Sequence, residues 1–135
     1  MDAKQLYSPK GRINRAPYWI GSIILNSVFG LLERSPNPGV IVLWTVAFYV
    51  SCCLVIGRLH DLDRTGWWAA AFFGAVGFIV LVGNTPELTN RTETIVVFYA
   101  AIAALLVGGI YLGFTRGTDG PNRFGPDPLV RSIPA

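Results

Sequence analysis

Hydrophobic and polar positions along this chain fall into long blocks rather than into the short periods of an amphipathic helix or strand. Four stretches carry no charged residue: Ala16 to Leu32 (17 residues), Ser35 to Gly57 (23), Thr65 to Pro86 (22) and Thr94 to Thr115 (22). A hydrocarbon core about 30 Å thick takes roughly 20 residues of helix. Three stretches therefore span it comfortably. The first is shorter and carries Ser22, Asn26 and Ser27, which leaves a re-entrant or interfacial segment open as its alternative. Turn residues punctuate the same units: Ser35-Pro36-Asn37-Pro38-Gly39 cannot continue a helix, and Gly83-Asn84-Thr85-Pro86 ends the third. The pattern predicts one all-α membrane domain with spans at about 16–32, 39–57, 66–83 and 95–114, an arm at 1–15 and a tail at 115–135. No internal repeat or low-complexity tract interrupts it.

Charge placement decides the first span, because Lys and Arg collect on the cytoplasmic side of short-looped membrane proteins. With four spans, the arm (Lys4, Lys10, Arg12, Arg15), the middle loop (Arg58, Arg64) and the tail (Arg116, Arg123, Arg131) share one side, leaving only Arg34 and Arg91 on the other. If the first stretch did not cross, this asymmetry would vanish. The expected fold is a four-span transmembrane helical bundle of up-down topology with both termini cytoplasmic. Adding the acids gives +4 inside and −1 outside, which together recover the net charge of +3.

Composition sharpens this picture. The chain is 52% hydrophobic and only 14% charged, where soluble domains average about 25% charged residues. That excludes a disordered chain and a routine soluble enzyme. A pI near 9.1 alone would suggest nucleic-acid binding, but on so apolar a chain the bases read as membrane flanks, and no nucleic-acid partner is expected. Tyr18, Trp19, Trp67, Trp68 and Tyr111 fall at or near the inner interface, where aromatic residues anchor helices. The first apolar stretch ends in Leu31-Leu32-Glu33-Arg34 without a small-residue cleavage pattern, so it is expected to remain as a span.

Within the spans, small residues at four-residue spacing mark expected packing faces: Ala100, Ala104 and Gly108, then Gly109 and Gly113, with Ala70 and Gly74, and Ala71 and Ala75. Homo-oligomerisation through the same faces is the alternative. Adjacent Cys52 and Cys53 point about 100° apart on a helix, which suits neither a disulfide nor a metal pair and leaves packing or acylation. Asn26 and Tyr49 each need a hydrogen-bond partner away from water, an interhelical bond being expected and a polar solute path the alternative.

The densest chemistry lies on the inner side. Gly11-Arg12-Ile13-Asn14-Arg15 of the arm, Arg58-Leu59-His60-Asp61-Leu62-Asp63-Arg64-Thr65-Gly66-Trp67-Trp68 of the middle loop, and Thr115-Arg116-Gly117-Thr118-Asp119 through Asn122-Arg123-Phe124-Gly125-Pro126-Asp127-Pro128 of the tail are gathered by the topology on one face. Here the chain resembles a known family. The Gly-Arg-x-x-Arg arm, the Arg-Leu-His-Asp loop running into Gly-Trp-Trp and the Asn-x-aromatic-Gly-x-Asp-Pro tail are similar to the bacterial inner-membrane family catalogued as domain of unknown function 805. The resemblance covers nearly the whole chain and implies a small multi-span protein of the bacterial inner membrane, without an established activity. Two positions depart from the family pattern: Gly57 stands where a second arginine often precedes the loop, and Phe124 where a tyrosine is frequent.

Three readings of this constellation are open. In the first it is a polar clasp, Asp61 and Asp63 pairing with arginines of arm and tail while Trp67 and Trp68 pin the interface. In the second it binds anionic headgroups or a partner protein through Arg12, Arg15, Arg58, His60, Asp61, Arg64, Trp67 and Asn122, arginine forks suiting phosphate. In the third it is an enzyme acting on lipid or an envelope precursor, with His60 as acid/base oriented by Asp61 or Asp63. A lone histidine completes no two-histidine metal site, and no phosphate loop, nucleophile elbow or zinc-protease helix is present. The expectation carried forward is a non-enzymatic inner-membrane protein, without catalytic residues, metal or cofactor, that meets anionic lipids, a second copy of itself or a membrane-protein partner. A transport or channel subunit, its oligomeric pore lined by Asn26 and Tyr49, is the opposing class.

Overall fold

The computed structural model describes residues 9–35, 37–89 and 91–129. Lys4, Pro36 and Arg131, which enter the charge and turn arguments above, lie outside the described residues. Five helices follow in order: α1 Arg15–Leu32, α2 Val40–Asp61, α3 Trp67–Gly83, the single turn α4 Pro86–Thr89, and α5 Thr92–Phe114. The described residues contain no strand, only one isolated bridge between Asn122 and Gly125. At 22 and 23 residues, α2 and α5 are long and apolar enough to cross a membrane; α3 is apolar but shorter.

The chain divides into two compact units, one of residues 1–66 with 116–135 and the other of 67–115. In the first, α1 and α2 form an antiparallel hairpin whose close approach is set by small residues. A Cβ on Gly21 would meet Leu54 Cδ1 at 2.7 Å, and toward the far end the Phe29 and Trp44 rings pack with centroids 4.8 Å apart. Leu54, Cys53, Val55 and Leu59 are buried there.

In the second unit α3 packs on α5, with Phe72 3.9 Å from where a Cβ on Gly108 would stand. The small-residue lines expected to carry packing do so only in part. Gly108 is half-buried and Gly113 buried, whereas Ala70, Ala71, Gly74, Ala100 and Ala104 are exposed. The bulk of Phe72 makes this contact, so small side chains are not needed along the whole line. The turn α4 is tied to α3 by Thr89, whose hydroxyl donates to the carbonyl of Val82 at 3.0 Å.

Two further expectations change. The polar side chains within α1 turn back on their own helix instead of crossing to a neighbour: Asn26 Nδ2 donates to the Ser22 carbonyl at 2.8 Å and the Ser27 hydroxyl to that of Ile23 at 2.9 Å. Such back-bonding satisfies the group locally. In addition, α2 continues one turn past Gly57, so Arg58, Leu59, His60 and Asp61 are helical rather than loop. The helix stops at a Schellman motif: Arg64 N–H donates to the Leu59 carbonyl at 2.8 Å and Asp63 N–H to that of His60 at 3.1 Å, with Asp63 in the left-handed region at φ 54°.

Candidate functional site

The site is built around the last turn of α2, within the first unit. Helical spacing places Arg58 and Asp61 on one face, where Arg58 Nη1 donates to Asp61 Oδ2. The arm reaches the same turn. Ile13 N–H donates to the Gly57 carbonyl at 2.9 Å, and a Cβ on Gly57 would lie 2.7 Å from Ile13 Cδ1. Glycine at this position lets the arm lie directly on the helix. Arg12 thereby arrives beside Asp61: its Nε and Nη2 donate to Asp61 Oδ1 at 3.2 and 3.1 Å.

The tail closes the arrangement. Arg12 Nη1 donates to the Gly120 carbonyl at 2.6 Å and Nη2 to the Thr118 carbonyl at 2.5 Å. Thr118 N–H donates in turn to the Asp61 carbonyl at 2.8 Å. Gly117 passes so close that a Cβ there would fall onto the Asp61 carboxylate. Arg12, Arg58 and Asp61 are all buried, with Arg58 completely so. Two guanidiniums around one carboxylate leave one excess positive charge, which the carbonyl oxygens of Thr118, Gly120 and Ile13 help to offset.

His60 organises a second layer. Its ring stacks on Phe124 with centroids 3.9 Å apart and planes 6° apart. Its Nδ1 lies 3.2 Å from the Gly11 carbonyl. The Arg123 guanidinium lies over the Phe124 ring, 4.8 Å from its centroid, and donates to Asp63 Oδ1 at 3.1 Å. Asn122 shapes the tail: its Nδ2 donates to the His60 carbonyl at 2.9 Å, and its Oδ1 accepts from Phe124 N–H at 2.9 Å. Asp127 holds the tail's end by accepting from Gly120 N–H and Leu129 N–H at 3.0 and 2.9 Å. Those two bonds favour its ionised form and hold its pKa below the usual carboxylate value.

Of the eight candidate residues, Arg12, Arg58, Asp61, His60 and Asn122 converge in this clasp. Arg15 is exposed and borders a small cleft beside it. Arg64 contributes its backbone N–H to the helix cap and its side chain is exposed. Trp67, 83% exposed, opens α3 in the other unit. The sequence reading passed over Ile13, Gly117 and Thr118, whose roles depend on backbone contacts. Gly117, two residues past the fourth apolar stretch, is a sequence signal of a close approach.

Two helices long and apolar enough to cross a membrane, with a buried ionic clasp at the end of α2, fit a small all-helical membrane protein. The chain belongs to the family described as Protein of unknown function (DUF805), which matches it over residues 6–126. Three relatives in Escherichia coli cover 90% of the chain: Uncharacterized protein YiiR, 32% identical over 86% of its own length, Inner membrane protein YhaH, 29% over 87%, and Inner membrane protein YhaI, 31% over 86%. No solved structure matches. The protein is accordingly a multi-pass protein of the bacterial inner membrane, in a family that carries no enzymatic name.

Proposed function

We propose that the chain is a non-enzymatic inner-membrane protein that crosses the bilayer four times with both termini in the cytoplasm, and that its clasp displays a basic face to the anionic leaflet. One observation carries this reading: arm, α2 end and tail are hydrogen-bonded to one another through Arg12, Asp61 and Thr118. Groups in such contact lie on one side of a membrane. If α2 crosses, α1 must cross as well for Ile13 to reach Gly57; if α5 crosses, α3 must cross for Thr118 to reach Asp61. On this reading the marginal first stretch is a span, with 1–15 and 115–135 as the arm and tail of a single membrane domain. The excess of bases on that side makes it cytoplasmic.

The clasp consumes Arg12 and Arg58, so the outward chemistry falls to exposed Lys10, Arg15, Arg64, Arg116 and Arg123. Trp67 and Trp68, 83% and 63% exposed, follow Arg64 closely in sequence and supply headgroup-level anchors. Each base near an anionic leaflet contributes about 1 kcal/mol of attraction. The role this supports is organisation of the inner leaflet or of a membrane partner resting on it. Asn26 bonds within its own helix, to the Ser22 carbonyl, which does not favour a transport path.

Accessibility tags at Asn37 and Glu87 test the topology; both should react from outside, and reaction of Asn37 from the cytoplasm would overturn the four-span reading. For the leaflet role, native mass spectrometry of protein in gentle detergent should detect retained anionic lipid, reduced in Arg15→Ala/Arg64→Ala/Arg116→Ala. Unchanged retention would remove it, and a retained protein partner or second copy would assign the face to that contact instead.

A further inference from the structure

His60 is the only histidine of the chain and stands three residues past the expected second span, where arm, α2 and tail meet. Its Nδ1 lies 3.2 Å from the Gly11 carbonyl. A carbonyl only accepts, so the neutral ring carries its proton on Nδ1 and leaves Nε2 to take up a second one. The turn after α2 passes on that side, since a Cβ on Gly66 would stand 3.5 Å from Nε2. The ring itself lies flat on Phe124 of the tail, centroids 3.9 Å apart, and the His60 carbonyl accepts from Asn122 Nδ2 at 2.9 Å. One residue thus ties both the arm and the tail to the end of α2.

The charges around the ring favour its neutral form. From the tail, the Arg123 guanidinium lies 4.8 Å from the Phe124 centroid. From the arm comes the Gly11 carbonyl, with exposed Lys10 beside it in sequence. At the α2 end, Asp61 is held by Arg12 and Arg58, and Asp63 by Arg123. Among the described residues no carboxylate pairs with the ring. A proton taken up from solvent at Nε2 would set a cation against a phenyl ring that already faces one, beside a clasp with one excess positive charge. We propose that His60 is an acid-operated latch: neutral, it fastens arm and tail to the end of α2, and protonation at Nε2 releases the tail around Phe124. Burial lowers the His60 pKa below its ordinary value, the bond to Gly11 opposes this, and Arg123 adds to the lowering. The closed latch therefore binds this proton less readily than the open one. Its stabilisation is full above the ordinary histidine value, about pH 6.5, and is lost as pH falls from there to the lower folded value. The latch does not depend on which side of the membrane it faces, so it stands or falls apart from the leaflet role.

A single histidine makes the test direct, because selective labelling of the full chain in detergent gives one imidazole in nuclear magnetic resonance. The ring should be the Nδ1–H tautomer at neutral pH and titrate below about pH 6.5. Hydrogen exchange between Thr118 and Gly125, corrected for its intrinsic pH dependence, should quicken at least about twofold from about pH 7.5 to 5.5. Asp127, its pKa lowered from that of an ordinary carboxylate, stays ionised throughout this window. His60→Phe keeps an aromatic ring against Phe124 and cannot titrate, so it should remove the acid response. Arg123→Gln should raise the histidine pKa and shrink the response, which a merely structural histidine would not show. Titration at or above pH 6.5, tail exchange that acid leaves unchanged or slows, an equal acid response in His60→Phe, or an unmoved histidine pKa in Arg123→Gln would each overturn the proposal. Should His60→Phe fail to fold, the wild-type titration and Arg123→Gln decide it.

Discussion

The Asp61 carboxylate at the end of α2 is gripped by Arg12, 49 residues earlier in the chain, through two N–H bonds to the same oxygen at 3.2 and 3.1 Å. Both side chains are almost wholly buried, at 1% and 4% exposure. Removing one partner of a buried ionic group leaves the other uncompensated and costs about 3–5 kcal/mol. Asp61→Asn should therefore lower the thermal midpoint in detergent sharply and make the tail susceptible to protease, because Arg12 also carries the Thr118 and Gly120 carbonyls. Asp119→Asn serves as the control. Its pair with Arg116 is 76% and 70% exposed and should change stability by no more than about 1 kcal/mol.

The seat of the arm on α2 predicts a coupled pair. Gly57→Ala would drive a methyl to within 2.7 Å of Ile13 Cδ1 and should cost about 1–3 kcal/mol as overpacking. In an Ile13→Ala background the obstructing atoms are gone, and the added methyl enters the space they leave. The double-mutant cycle should then give a coupling of about 1 kcal/mol or more in favour of the double variant. Simple additivity would mean that the arm lies elsewhere.

These two sites mark what the sequence made legible. Absence of charge located the helices, and the convergence of arm, α2 end and tail followed from the order of apolar blocks. Burial was not legible. Arg12 and Arg15 look equivalent in a Gly-Arg-x-x-Arg string, yet one is buried and the other exposed; Arg12 is buried against Asp61, a carboxylate from a segment distant in sequence. Likewise Arg58 read as loop, since a charge after an apolar run ends a span but does not end a helix. The i, i+3 spacing of Arg58 and Asp61 was the local signal that the helix continued.

The α2 terminus gives a backbone test. Asp63 occupies the left-handed region at φ 54°, which costs a branched side chain about 1–2 kcal/mol. Asp63→Val should destabilise by about that amount. Asp63→Gly removes the steric cost but also the exposed bond from Arg123, two effects of about 1 kcal/mol or less that oppose each other. Its thermal midpoint should stay near that of wild type. A marked loss in Asp63→Gly would instead assign the position's importance to the Arg123 contact.

Acid should loosen the tail through Asp127. Backbone N–H groups of Leu129 and Gly120 donate to its carboxylate and lower its pKa, so the folded protein binds that proton less readily than the unfolded chain. The resulting stabilisation is complete above the unfolded carboxylate value, about pH 4, and is lost as pH falls through the lower folded value. Asp127→Asn accepts more weakly and has no charge to lose. The stability difference between wild type and Asp127→Asn should therefore be flat from pH 7 to about pH 5 and shrink below about pH 4. Pepsin cleavage near Leu129 across that acid range, normalised to an unfolded tail peptide, reads this local opening. A difference that stays constant to the lowest pH would mean that the two backbone bonds do not depend on the carboxylate's charge.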